Sequence, residues 1–79
     1  MTRYTDLSWE ARSAIMADLR SVGCRITKGH AGNGFIAWCP QSPLNTATAI
    51  AAMSAHGFKP EGEMDHEESG RLIKFVPAV

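Results

Sequence analysis

The order helix, glycine, strand, glycine-bearing turn, apolar strand and proline runs through this chain twice. Gly23 is matched by Gly57 thirty-four residues on, and Ile36, Trp38 and Pro40 by Ile73, Phe75 and Pro77 thirty-seven residues on. One αββ unit cannot bury its apolar helix face alone, whereas two units side by side can. The sequence therefore predicts an α+β domain of two layers, αββαββ. Its four-stranded, mainly antiparallel sheet would carry both helices on one face. The pseudo-repeat spans 8–40 and 42–77, and with 79 residues the chain makes a single domain, 1–79. A chain this short buries only about 60% of its unfolded surface, so its core is thin.

In the first unit, residues 1–6 read as a polar lead-in, and Ser8 or Asp6 as the cap of a first helix. Ala11, Ile15, Leu19 and Val22 recur at spacings of four, four and three, which gives one apolar face. Gly23 ends the helix, and Cys24 can fold back onto Leu19. Cys24–Lys28 alternates as a half-buried strand does. Residues 29–34 are turn-rich, with Asn33-Gly34 the strongest hairpin signal. Phe35–Cys39 is nearly continuous in apolar residues, so it is expected to be central and covered on much of both faces.

In the second unit, Pro40 to Pro43 breaks the strand, with Ser42 or Asn45 as the cap of a second helix, Leu44 to His56. Ala47, Ile50, Ala51 and Met53 are its expected buried side. Phe58 to His66 alternates again, and Pro60 marks it as an edge strand or the place of a bulge. Residues 67–70 are a turn and 71–76 a last strand. The uncovered face of the sheet is a natural contact surface, with Arg25, Thr27, Lys59, Glu61 and Glu63 as candidates for it, joined by Phe35 and Leu72.

Eight basic and eight acidic residues give zero formal charge, which argues against a generic nucleic-acid binder with its basic surplus. The acids are clustered, however. Five of them, Glu61, Glu63, Asp65, Glu67 and Glu68, fall within eight residues. In an extended strand, alternate side chains face one way. Glu61, Glu63, Asp65 and Glu67 would then form one acidic stripe, with Met64 opposite. Such a stripe either guards a sheet edge against aggregation or meets a basic partner, steering its approach. Its spacing of about 6.6–6.8 Å is near that of alternate phosphates.

The other candidates are weaker. His30 stands in the turn-rich stretch and reads as an exposed turn residue, with no partner evident for acid–base work. Cys24, His30, Cys39, His56 and His66 lack paired ligand spacing, so no metal is expected, and no cofactor motif is present. Gly29, Gly32 and Gly34 lead into a strand, so no helix N-terminus is there to hold phosphate. Trp9, near the exposed end of the first helix, is the better contact candidate of the two tryptophans, and Trp38 reads as core. Two cysteines are too few for a disulfide scaffold and read as reduced buried thiols, although a bridge between neighbouring strands is conceivable. No apolar run resembles a signal peptide or a membrane span, so the chain reads as cytoplasmic.

Leu19, Gly23 and Gly29-His30 together resemble the HicA family of toxin ribonucleases, an αβββα domain in which a turn histidine cleaves RNA. That likeness implies a catalytic His30 and covers about a third of the chain. The chain departs from it in lacking a third strand before helix two and a Ser or Thr before His30. In size, absence of motifs and charge layout the whole chain is similar to small phage anti-CRISPR proteins. That likeness implies a non-enzymatic inhibitor that blocks the nucleic-acid-binding surface of a host complex, working as a monomer or homodimer. Its contact residues would be Glu61, Glu63, Asp65, Glu67 and Glu68, and we add His30 and Trp9 as further partner-binding candidates.

Overall fold

Ser8 accepts a hydrogen bond from the Ala11 amide at 3.1 Å, which caps the first helix, α1 (Trp9–Ser21). The computed structural model describes residues 3–40, 43–65 and 70–78, with Pro43 and Asp65 described by backbone alone. α1 ends in a Schellman motif: Cys24 N–H bonds to the Leu19 carbonyl at 2.8 Å and Gly23 N–H to that of Arg20 at 3.0 Å. Gly23 supplies the left-handed turn, with φ +80°. The chain then forms β1 (Arg25–Ala31), β2 (Gly34–Cys39), α2 (Pro43–Ala55), β3 (Phe58–Asp65) and β4 (Arg71–Pro77). The Ser42 cap lies outside the described residues. Asn45, the rival cap, is inside the helix instead, and its amide donates to the Val22 carbonyl at 2.7 Å, tying α2 to the end of α1.

All strand pairs are antiparallel, in the order β1-β2-β4-β3. Each αββ unit contributes one hairpin, and the second strands of the two units meet at the centre. β2 is thus central and β3 an edge, as its proline requires. The fold is the two-layer α+β arrangement that the repeated pattern predicts. The core lies between the sheet and the helices. Phe35 is its hub, with ring centroids of Tyr4, Phe58 and Phe75 at 4.7, 5.2 and 5.4 Å. Ile15, Leu19, Met53 and Ile73 fill the space around it.

Several expectations need correction. The chain before α1 is not merely a lead-in: Tyr4, in a short 3-10 turn (Tyr4–Asp6), is buried against Phe35. The β1–β2 turn is Gly32-Asn33, one residue earlier than expected. Ala31 pairs with Gly34, and the positive φ of +63° falls at Gly32. A two-residue hairpin with glycine first satisfies the strand twist, so Asn33-Gly34 is not needed as the turn centre. Gly29 and His30 consequently belong to β1. On α2 the buried positions are Thr46, Ala49 and Met53, with Ile50 beside them, whereas Ala47 and Ala51 are exposed. That set follows the i, i+3, i+4, i+7 rule better than the expected one.

Candidate functional site: the open sheet face

Opposed residues in an antiparallel ladder point to the same side. Phe35 faces Phe75, and Ala37 faces Ile73, all buried under the helices. The register therefore sends Ile36, Trp38, Leu72 and Lys74 to the opposite side, where each is only partly covered. Phe35, a candidate for that open face, is instead the hub of the core. Trp38, read as core, stands on the open face with the Arg25 guanidinium 5.0 Å over its ring, a cation–π contact.

The edge strand β3 decides where the acids point. A bulge falls between Pro60 and Gly62: Pro60 pairs with Phe75 and Gly62 with Lys74, leaving Glu61 as the extra residue. Beyond it the alternation is reversed. Glu63 pairs with Ile73, on the helix side, while Met64 pairs with Leu72 on the open side, and the ladder closes with the backbone of Asp65 opposite Arg71. The expected single stripe is therefore not built. Glu61 remains on the open face, and its carboxylate is 3.2 Å from Lys74 Nζ. Glu63 lies on the other side, 3.9 Å from an Arg71 guanidinium nitrogen. Glu67 and Glu68, and His66 between the acids, lie outside the described residues, as does all but Gly70 of the expected turn at 67–70.

The remaining candidates are dispersed. His30 is exposed on β1, the opposite edge of the sheet from β3. Trp9 is 68% exposed on the outer surface of α1, where it lines a shallow depression with Met16 and Arg20. These residues do not come together with Glu61 and Glu63, the acids of the segment whose side chains are described. Among the described residues, no group of three His, Cys, Asp or Glu side chains could hold a metal ion, and no helix is long and apolar enough to cross a membrane.

What the fold does assemble is a groove of about 270 Å³ on the open face, lined by Ile36, Gly62, Glu63, Met64, Leu72 and Lys74. Met64 is 66% exposed there. Cations surround it. Arg25 pairs with Trp38, Lys28 with Ile36 and Lys59 with Val76, so all three share the face with Lys74. Among the described residues, Glu61 is the one carboxylate that the register places with them. β1 is also bulged: Thr27 is its extra residue, and its hydroxyl donates to the Ile36 carbonyl at 3.3 Å. The signal for this face was present in β2, whose two alternating sets, Phe35, Ala37, Cys39 and Ile36, Trp38, are both apolar.

Cys24 and Cys39 are buried and unbridged. The register that opposes Arg25 to Trp38 brings them across from one another, and the Cys24 thiol donates weakly to the Val22 carbonyl at 3.8 Å. Burial pushes both thiols above their ordinary range, Cys39 furthest, so they are inert packing groups and poor nucleophiles. His56 Nε2 and Asp18 Oδ2, 2.6 Å apart, join the ends of the two helices.

Searches against protein-family models, curated proteins and solved structures give no match, so any functional reading rests on the open face itself.

Proposed function

We propose that this chain is a non-enzymatic protein-binding domain whose contact surface is the open sheet face. The supporting observation is that β2 and β4 present Ile36, Trp38 and Leu72 to the side opposite the helix-covered Phe35, Ala37 and Ile73, where each is only partly covered. A strand apolar on both faces belongs in a sheet covered on both faces. Here the second cover would come from the partner. Apolar groups ringed by charges are the usual anatomy of a contact patch. The sheet edges suit a partner less well. Pro60 and the Glu61 bulge interrupt β3, and two register shifts interrupt β1, which are the devices that discourage strand addition. An acidic docking row is not part of this reading, because Glu61 and Glu63 point to opposite sides. Such a domain would act by occupying its partner's surface.

The test is a photoreactive amino acid placed at Met64, on the open face, and separately at Ser54, exposed on α2. Irradiation in the source cell should give a discrete protein adduct from position 64 and none from position 54. Equal labelling from both, or none from position 64, would end the proposal.

A further inference from the structure

The open face has a sign, and it is opposite to the one that the acidic segment suggests. Arg25, Lys28, Lys59 and Lys74 lie on it with Glu61 as the described counter-charge. A second copy docking face to face would set these cations against their own equivalents, which opposes such a dimer. An anionic occupant has the complementary charge. Resting on the docking reading above, we propose that the partner is an acidic polypeptide: its apolar side chains fill the groove between Ile36, Met64 and Leu72, and its carboxylates pair with Lys28 and Lys74 at the rim.

A polypeptide fits better than a nucleic acid for a chemical reason. The groove is lined by the aliphatic side chains of Ile36, Met64 and Leu72 together with Gly62, Glu63 and Lys74, and none of these is aromatic. Single-stranded nucleic acids are held on aromatic platforms within basic grooves. Among the described residues, Trp38 is the one aromatic ring that the register places near the groove, and the Arg25 guanidinium lies over it. A phosphate backbone has no hydrocarbon to bury against Met64 and Leu72, whereas a leucine- or tyrosine-bearing acidic peptide does. Lys28 and Lys74 pair with carboxylates as point charges at an exposed rim, which favours approach and selectivity.

The test is amide and methyl NMR titration of the full chain with four probes: a glutamate–tyrosine copolymer, polyglutamate, a lysine–tyrosine copolymer and a short oligouridylate. The expected result is that the glutamate–tyrosine copolymer shifts Ile36, Met64 and Leu72. It should bind about tenfold tighter than polyglutamate, as the burial of apolar side chains in the groove requires. Lys28→Glu with Lys74→Glu should weaken it about tenfold. Met64→Ser should erase the preference over polyglutamate. All three positions are at the surface, and a single cooperative melt would show that each variant folds, with Lys74→Glu a few degrees lower for the loss of its Glu61 ion pair. Stronger shifts from the lysine–tyrosine copolymer at the same face would overturn the acidic partner while leaving the docking face in place. Tighter binding of oligouridylate would overturn the choice of polypeptide. No shift at this face from any polypeptide would overturn both this inference and the docking reading.

Discussion

Lys74 Nζ lies 3.2 Å from Glu61 Oε1, yet the residue that pairs with Lys74 in the ladder is Gly62. Both statements hold because Glu61 is the extra residue of a bulge. In a strictly alternating strand Glu61 and Glu63 would share a face and Met64 would be turned toward the helices. The bulge turns Glu63 toward Arg71 and brings Met64 out beside Leu72. One inserted residue thus exchanges an acidic row for an apolar groove with a basic rim.

Deleting Glu61 should therefore be tolerated. Pro60 would stay opposite Phe75 and Gly62 opposite Lys74, in a regular ladder. The lost surface ion pair contributes about 0.2–1 kcal/mol, so Tm should fall by no more than about 6 °C. Deleting Lys74, which pairs with Ile36 in the unbulged β2–β4 ladder, leaves no spare residue to absorb the loss, so it should slip Leu72 to the wrong face and lower Tm further. Thermal melts of both variants check this; equal loss would argue against the bulge.

Gly34 is required by close approach. A Cβ there would overlap the Phe75 carbonyl oxygen and lie 3.0 Å from Val76 Cα, both of them backbone atoms that cannot rotate away. Gly34→Ala should cost about 3 kcal/mol or more by denaturant unfolding. At Gly62, on the same sheet, an added Cβ would meet nothing within 4 Å, and Gly62→Ala should change stability by no more than about 0.5 kcal/mol.

Phe35 is fully buried and touches three aromatic rings. Phe35→Ala should cost about 3–5 kcal/mol, most of what a domain of this size has to lose. Phe35→Leu should keep the fold with a lower melting temperature. Equilibrium unfolding distinguishes them, and a mild effect of the alanine variant would mean that Phe35 is not the hub.

Alkaline pH should unfold this protein through its thiols. Burial raises the Cys24 and Cys39 pKa values above the ordinary 9.0. Folded values above unfolded ones mean that the unfolded chain releases its protons first as pH rises. Stability is therefore full below about pH 9 and declines above it, by up to about 1.4 kcal/mol per pH unit for each thiol. Urea midpoints from pH 7 to 10.5 should show this fall, and Cys39→Ala should flatten its slope whatever its cost at pH 7. Tyr4, also raised by burial, adds to the decline only above pH 10.

Much of the fold was legible because it rests on signals local in sequence. Ser8, Gly23 and Pro60 announce a cap, a stop and an edge in turn, and the repeated order of elements fixes the layers. The orientation of β3 was not legible. A bulge of one residue leaves no compositional trace at Glu61, and it reverses the facing of everything after it. Trp38 was misplaced for a related reason: an apolar residue in a central strand reads as core whichever side it faces, unless the register is known. Tyr4 was missed because a lone aromatic in a polar segment has no periodicity to betray its burial. The open face was half-legible, since Ile36 and Trp38 made β2 apolar on both sides, but which cations join it depends on two bulges.

The facing of Met64 decides the account, and a NOESY spectrum of the methyl-labelled protein measures it directly. Cross-peaks from the Met64 methyl to Leu72 and Ile36, with none to Met53 or Ile73, are the predicted result. Cross-peaks from Met64 to Met53 or Ile73 would place it under the helices, restore the acidic row to one face and contradict both the groove and its basic rim.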